Sequence, residues 1–494
     1  MHSDLVRIAA LGADPDETEM VDAIVDSIDR YASDHIDAER IDAEGEVPRK
    51  VIEDLADLGL FGVSIPEEWG GAGFSQQGVC SVVAALARHD RSTATTVGLH
   101  LGLGTRGLVE FGPDALREQY LPDLAAGSRL AAFAATEAGA GSDLKRIATR
   151  AVEVDGRLRV NGTKIFVTNG ALAGVYTILA ASPGLGGARR GQSLVLLDRA
   201  DRGLEVGAEE HKLGLRGSST TTVNLDDLDL PLDRVIGEPG KGTAHAGHVL
   251  AWGRTAMAAG CIGTAQAAID ATVAHVQTRH QFGKPIGQLE VVRDQVADIA
   301  WTNLADGVDL IFRSTAAKVL CSDANWEICD TAVQLHGGSG FIEETGIPLL
   351  LRDSRITRIF EGANDVLLTH MGSLEALAPR RPPTWMDEVD PALAKRANAY
   401  RARVAGIREE LVQRHGVRLV RRARELHRLG QLVMLREAID ATVGRSTAVG
   451  TPAALALAAR WLDIAASRAA AAELEADPAP VETITTALYE GASP

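Results

Sequence analysis

The spacing of apolar residues changes character twice along this chain, and that change limits the folds open to it. Over residues 18–60, and again from Gln77 to about Leu124, apolar positions recur at helical spacing with charges between them. From Ala132 to about Val235 they fall into short runs divided by Gly, Asp and Asn. Lys164-Ile-Phe-Val-Thr168, Tyr176-Thr-Ile-Leu-Ala180, Ser193-Leu-Val-Leu-Leu197 and Thr220-Thr-Thr-Val-Asn-Leu225 are examples, and they predict strands. The helical period resumes at Gly242 and continues to about Leu377. The prolines between Ala378 and Pro391 exclude a helix interior there, and residues 392–475 predict several further helices. The expected fold is mostly α with a central β domain. Its predicted parts are helical over 1–131, β over 132–238 and helical over 239–378, with a linker over 379–391 and an appended helical module over 392–494. With 494 residues, several separate cores are expected.

A net charge of −17 excludes a basic footprint for nucleic acid. The four cysteines, Cys80, Cys261, Cys321 and Cys329, lack metal or redox spacing and are expected to be reduced. Met1 to Leu11 has no apolar signal core, and no window approaches about 18 uninterrupted apolar residues. A cytoplasmic location is expected. His245, His248 and His280 read as solvated helix positions, and His336 as packed in its glycine turn. No metal site is expected, because no His/Asp/Glu cluster has ligand spacing.

Three glycine-rich segments are candidates for chemistry. Ala135-Thr-Glu-Ala-Gly-Ala-Gly-Ser-Asp143 is either a tight connection between domains or a place where backbone amides and hydroxyls approach a ligand. It lacks the strand–helix–strand context of a dinucleotide fingerprint. Gln334-Leu-His-Gly-Gly-Ser-Gly-Phe341 interrupts two helical stretches. Thr357-Arg-Ile-Phe-Glu-Gly-Ala-Asn-Asp365 sets Glu361 after apolar Ile359-Phe360 and before a helix start capped by Asn364 or Asp365. Glu361 is either a solvated residue at that turn or a carboxylate that desolvation makes into a base near neutrality.

Together these segments resemble the acyl-CoA dehydrogenases over residues 20 to 377, in the same order. Further matches are Ile65-Pro-Glu-Glu-Trp-Gly-Gly-Ala-Gly73, Gly162-Thr-Lys-Ile-Phe-Val-Thr-Asn-Gly170, Leu213-Gly-Leu-Arg-Gly-Ser218 and Arg279-His-Gln-Phe-Gly-Lys-Pro-Ile286. The resemblance implies a helical N-domain, a β-barrel-like middle domain and a helical C-domain around FAD. It implies α,β-dehydrogenation of an acyl-CoA, with electrons passed to an electron-transferring flavoprotein. Glu361 would be the base, with Gly362 beside the thioester. Phe133, Ala135, Thr136, Gly141, Ser142, Phe166, Val167 and Thr168 would line the flavin and pyrophosphate, Ser142 also facing substrate. Arg279, Phe282 and Gln334, Leu335, His336, Gly337 and Gly338 would reach the ADP half of a neighbouring subunit's FAD, implying a homodimer or homotetramer. Ala363 and Asp365 would touch FAD, and Arg254 would lie near the CoA pyrophosphate.

Several positions depart from the family pattern. Ala138 replaces a proline, Phe166 a tryptophan, Ala363 a threonine and Glu290 a glutamine. Branches with the base on the helix before Arg254 find no counterpart in Ala251-Trp-Gly253. From Lys395 to Glu437 there are 12 Lys/Arg and 4 Asp/Glu interleaved with apolar residues. That stretch, 395–436 in particular, reads either as a basic amphipathic helix on an anionic membrane or as a helix covering the acidic core. A helical extension of this kind resembles, loosely, the very-long-chain branch. An acyl-CoA oxidase, another flavin enzyme of this fold and a non-catalytic assembly partner are the rival functions.

Overall fold

The computed structural model describes residues 15–187, 191–293, 295, 312–379, 389–449 and 452–473. Met1 to Leu11, most of the 379–391 linker and the end of the chain lie outside the described residues. The chain forms two compact units, Met1–Leu367 and Leu368–Pro494.

The first unit begins with helices Pro15–His35, Ala38–Glu44 and Arg49–Asp57 where the periodicity predicts one long helical stretch. The breaks have local causes. Asp37 accepts from Arg40 N and starts a new helix, Gly45 closes it at φ 75°, and Pro48 precedes the third. Gln76–His89 and Arg91–Leu99 meet at Asp90, whose side chain accepts from Thr93 N. A π turn, His100–Gly104, follows, then Arg106–Phe111 and Asp114–Ala125.

The central region is an eight-stranded sheet running β6-β7-β3-β2-β4-β5-β8, with β1 paired parallel to β4. Its strands are β1 Leu130–Ala134, β2 Arg150–Val154, β3 Arg157–Thr168, β4 Ala173–Ala181, β5 Gln192–Asp198, β6 Leu204–Glu209, β7 Thr220–Pro231 and β8 Val235–Ile236. β4 and β5 are buried along nearly their whole length because both faces are covered. Val175, Leu179, Leu194 and Leu196 pack with Leu103, Leu108, Leu116 and Tyr120 of the helices. Their alternate neighbours Tyr176, Ile178, Val195 and Leu197 join Leu158, Val160, Val223 and Leu228 in the sheet's own core. β7, with one face covered, alternates buried and exposed.

Helix Gly242–Thr278 follows and packs on Gln76–His89 and Phe312–His336. Its small residues permit close approach: a Cβ on Gly263 would lie 2.1 Å from Ala84 O. After a short hairpin, His280–Gln281 with Lys284–Pro285, the described chain resumes with Phe312–His336, Ile347–Arg355 and Asn364–Leu377.

The second unit contains Pro391–His415, Ala423–Val449 and Pro452–Glu473. The stretch 395–436 is therefore not one helix. Gly416, at φ 51°, ends the first helix and starts a 3-10 turn to Arg421 before the next begins. Helix Ala423–Val449 crosses Asn364–Leu377 within this unit, at Leu368 and Gly372, glycine to backbone. A Cβ on Gly372 would lie 1.8 Å from Leu426 O, and one on Gly430 1.8 Å from Leu368 O. Several of the basic residues are bound inside this unit. Arg396 pairs with Asp463 and Arg401 with Asp440, and Arg408 donates to the carbonyls of Glu375 and Ala376. Arg436 binds both oxygens of Glu375, at 2.8 and 3.0 Å.

Candidate functional site

Glu361 sits in a turn between a 3-10 segment, Ile356–Arg358, and helix Asn364–Leu377. Its φ is 57° and that of Gly362 is 101°, so a left-handed glutamate precedes a left-handed glycine. A non-glycine residue held there is strained, and such strain persists only where the surroundings impose it. Those surroundings are visible. Arg254 Nε, on the long helix, donates to Glu361 O at 2.9 Å. Lys318 Nζ, from helix Phe312–His336, donates to Gly362 O at 2.8 Å and to Asn364 Oδ1 at 2.6 Å. Phe360 packs inward against the cluster of Met257, Cys261, Ile262 and Cys321, whereas Ile359 is 50% exposed. Asn364 turns its amide toward Lys318, Ser322 and Asp323.

The carboxylate differs from the backbone around it. Part of the Glu361 residue reaches the surface, but Oε2 is sealed and has no hydrogen-bond partner. Burial pushes the Glu361 carboxyl up to about 7, against the pull of the Arg254 and Lys318 cations. Gly253 keeps the neighbouring helix clear of it, since a Cβ there would lie 3.0 Å from Oε1 and 2.3 Å from Leu103 Cδ2. Burial lowers Lys318 to about 8.

A second set of candidates gathers at the end of β3. Ile165 N donates to Thr136 O at 3.0 Å, which ties the Ala135–Asp143 segment beside Phe166. Phe166 has φ 55° at a register shift between β3 and β7, and the residue is 62% exposed while Val167 is buried. Phe133 is buried on β1. The segment is braced from behind by Lys164, fully buried, whose ammonium meets Glu137 Oε1 at 2.7 Å and Ala135 O at 3.2 Å. At Gly139 a Cβ would meet nothing, and at Gly141 only Thr136 Cγ2 at 3.9 Å. These glycines leave open space that the chain's own packing does not need.

A third set lies where the two long helices end. His275 stacks on His336 at 4.3 Å, bringing the Arg279–Phe282 turn beside Gln334–Gly338. Leu335 is buried, Arg279 and Gln334 are exposed, and Phe282 is 88% exposed. Phe341 is 83% exposed. Gly337, at φ 60°, and Gly338 again face open space. Ala363 lies in the Glu361 turn and Asp365 is exposed at the start of the following helix.

The other histidines depart from expectation. His245 stacks on Phe111 at 4.4 Å, and His248 approaches Glu110 Oε2 at 3.2 Å, so both are packed rather than solvated. His280 belongs to the short hairpin and not to a helix. No cluster able to hold a metal occurs among the described residues, and the four cysteines are buried and form no disulfide. Sequence reasoning missed Lys318, Asn364 as a clamp, and the Lys164–Glu137 brace. The available signal was a lysine inside small and apolar surroundings, Thr315-Ala-Ala-Lys-Val-Leu320.

Three acyl-CoA dehydrogenase family models match in order: the N-terminal domain over 18–128, the middle domain over 132–228 and the C-terminal domain over 240–373. The mouse mitochondrial very long-chain specific acyl-CoA dehydrogenase is 33% identical over 372 residues, covering 71% of this chain and 57% of its own length. The chain thus spans less than two thirds of that relative. "Probable acyl-CoA dehydrogenase FadE25" of Mycobacterium tuberculosis is 35% identical over 343 residues, covering 67% of this chain and 88% of its own. Among solved structures, the acyl-CoA dehydrogenase of Bacillus anthracis complexed with FAD superposes with a TM-score of 0.83 at 24% identity. It covers 98% of this chain and 94% of itself.

Proposed function

Since the chain belongs to the acyl-CoA dehydrogenase family, we propose that it is a FAD-dependent enzyme in which Glu361 removes the α-proton of an acyl-CoA, giving the trans-2-enoyl thioester. The observation that carries this reading is the sealed, unpartnered Oε2 of Glu361. A buried carboxylate without a partner is a liability unless a proton is to be delivered to it. With a carboxyl near 7, it is ionised often enough at neutral pH to accept one, yet basic enough to be effective.

The residues of the three sets then take distinct roles. Arg254, which holds the Glu361 carbonyl, keeps the base aimed and faces the charged half of the CoA. Gly362 lies beside the thioester, whose oxygen takes the Glu361 N–H as the negative charge develops. Phe133, Ala135, Thr136, Gly141, Ser142, Phe166, Val167 and Thr168 hold the flavin and pyrophosphate, and the open glycines and exposed Phe166 fit that use. Bound FAD supplies the hydride acceptor that no side chain can be. Arg279, Phe282 and Gln334–Gly338 reach the cofactor of a second copy. The exposed Phe282 and Phe341, each in a segment assigned here to the second copy, support a homo-oligomer. An electron-transferring flavoprotein is the electron acceptor, and the location is cytoplasmic.

Extraction of the purified protein should yield one FAD per subunit, and anaerobic acyl-CoA should bleach it. Loss of bleaching in Glu361→Gln with acyl-CoA binding kept supports the base, whereas near wild-type bleaching removes it. Slow reoxidation by air separates a dehydrogenase from an oxidase.

A peripheral membrane contact is narrowed by one observation to the tip around Gly416–Arg421. There Val417 is 90% and Val420 55% exposed, flanked by Arg418, Arg421, Arg422 and Arg424. Each arginine near an anionic surface contributes about 1 kcal/mol. Replacing Arg418, Arg421 and Arg422 by Gln should abolish low-salt sedimentation with anionic vesicles and spare activity on a short acyl-CoA. No sedimentation of the wild type excludes the contact.

A further inference from the structure

Lys318 is a buried cation that the reaction, as set out above, does not use. It is fully enclosed in the first half of helix Phe312–His336, a place where an ammonium is expensive to keep. Its three N–H donors have two located acceptors, Gly362 O and Asn364 Oδ1, and both belong to the turn that carries Glu361. Asn364 is locked in turn: its Nδ2 donates to Ser322 Oγ at 2.9 Å and to Asp323 Oδ1 at 3.0 Å, and Asp323 accepts from Arg358 Nε at 2.6 Å. One chain of bonds therefore runs from Arg358, before Glu361, to Gly362, after it. Arg254 grips the remaining carbonyl, that of Glu361 itself.

Both cations satisfy backbone carbonyls and neither donates a hydrogen bond to the sealed Oε2. A direct ammonium–carboxylate pair would hold the proton affinity of Glu361 far down and spoil it as a base. A cation held one residue away limits the rise caused by burial without blocking the lone pair.

Resting on the reading of Glu361 as the base, we propose that Lys318 is its positioning residue, an ammonium fixed to the Gly362 carbonyl that holds the left-handed turn and keeps the carboxylate ionised at neutral pH. The charged and titratable groups facing this pair are Arg254 and Cys261 on the long helix and Asp323 on the helix of Lys318 itself. None of them replaces the ammonium. Arg254 is committed to Glu361 O, and Asp323 carries the opposite sign and is committed to Arg358 and Asn364.

The test compares Lys318→Met, which keeps length without charge, with Lys318→Gln, which keeps a donor for Gly362 O without charge. The protonated Glu361 carboxyl is followed against pH by difference infrared spectroscopy on the flavin-loaded protein, its band identified by loss in Glu361→Gln. In both variants the titration midpoint should rise by about one pH unit or more, as removal of a nearby opposite charge requires. The acid limb of kcat/KM should move up with it. In Lys318→Gln, kcat at pH 9 should recover toward wild type, because the turn is still held there. An unchanged midpoint in either folded variant overturns the proposal and leaves Lys318 a structural brace. If neither variant folds, Glu361→Gln supplies the reciprocal measurement. Coupling acts both ways, so Lys318 should titrate at lower pH in it than in wild type by nitrogen NMR of the ammonium, and an unchanged Lys318 overturns the proposal. Persisting substrate bleaching in Glu361→Gln would remove the base reading itself, and the infrared midpoints would still report whether Lys318 sets the proton affinity of Glu361.

Discussion

Two glutamates with buried carboxylate oxygens, Glu361 and Glu375, belong to different compact units and are held in opposite ways. Glu375, in the second unit, is 2% exposed and has both oxygens bound by Arg436, which also reaches Glu437 at 3.0 Å. Glu361 is sealed at Oε2 with no partner, and the cations nearest to it are spent on main-chain carbonyls. Burial raises the cost of charge in both places. What differs is where the neighbouring donors point. A carboxylate whose donors point at it becomes a brace, and one whose donors point past it retains a lone pair for a proton.

The largest expected effect separates the two by rate. Glu361→Gln should slow substrate bleaching of the flavin by about 10²–10⁴-fold, the usual loss for a general base, in a stopped-flow measurement. Glu375→Gln should leave that rate per folded molecule within a few-fold, and a large loss there would break the comparison. Next comes stability. Glu375→Gln leaves the buried Arg436 with Glu437 alone, so its cost falls toward the lower end of the about 3–5 kcal/mol typical of a broken buried pair, read by urea unfolding. Glu361→Gln should have the opposite sign. Its native carboxyl sits near 7 against an ordinary 4.5, so the folded state binds the proton more tightly and loses stability as pH rises from 4.5 to 7. The neutral amide escapes that loss. It should be more stable than wild type by up to about 3 kcal/mol above pH 7, with the difference closing below pH 4.5. A destabilised Gln variant at pH 8 would show that Glu361 has a stabilising partner after all. Smallest is the pH dependence of the wild type. kcat/KM should fall about tenfold per unit only below pH 7, and a limb near pH 4.5 would mean that the carboxylate is solvated.

The order of helices, sheet and helices could be read from periodicity because burial dictates it. β4 and β5 appear as unbroken apolar runs since each is covered on both faces, and β7 alternates since it is not. Glu361 could be picked out by its neighbours in sequence, but its isolation could not. That isolation depends on Gly253, 108 positions earlier (361 − 253), and on Lys318 and Asn364 facing one another across a turn. The same limit applies to the basic stretch after residue 395. Counting charges left a membrane helix and a helix over the acidic core both open, whereas Asp440, Asp463 and Glu375, distant in sequence, bind Arg401, Arg396 and Arg436. Composition records which charges exist and not which are already neutralised.

The π turn at His100–Gly104 has a consequence in terms of chain registration. Helices Arg91–Leu99 and Arg106–Phe111 are continuous through it, so the segment behaves as one helical rod carrying one residue too many. Gly102 meets Gly253, Gly104 fits against Ala131 and Gly107 faces Thr177 of β4, and all of these glycines occupy phases set by the extra residue. Deleting a single residue from 100–104 would restore an unbroken α-helix while turning everything beyond it by about 100° and drawing it back about 1.5 Å. Gly104 and Gly107 would then leave the sheet, and bulkier neighbours would arrive in their place. The widened turn therefore works as an indexing step, and in this rod a one-residue deletion is a more severe change than most substitutions.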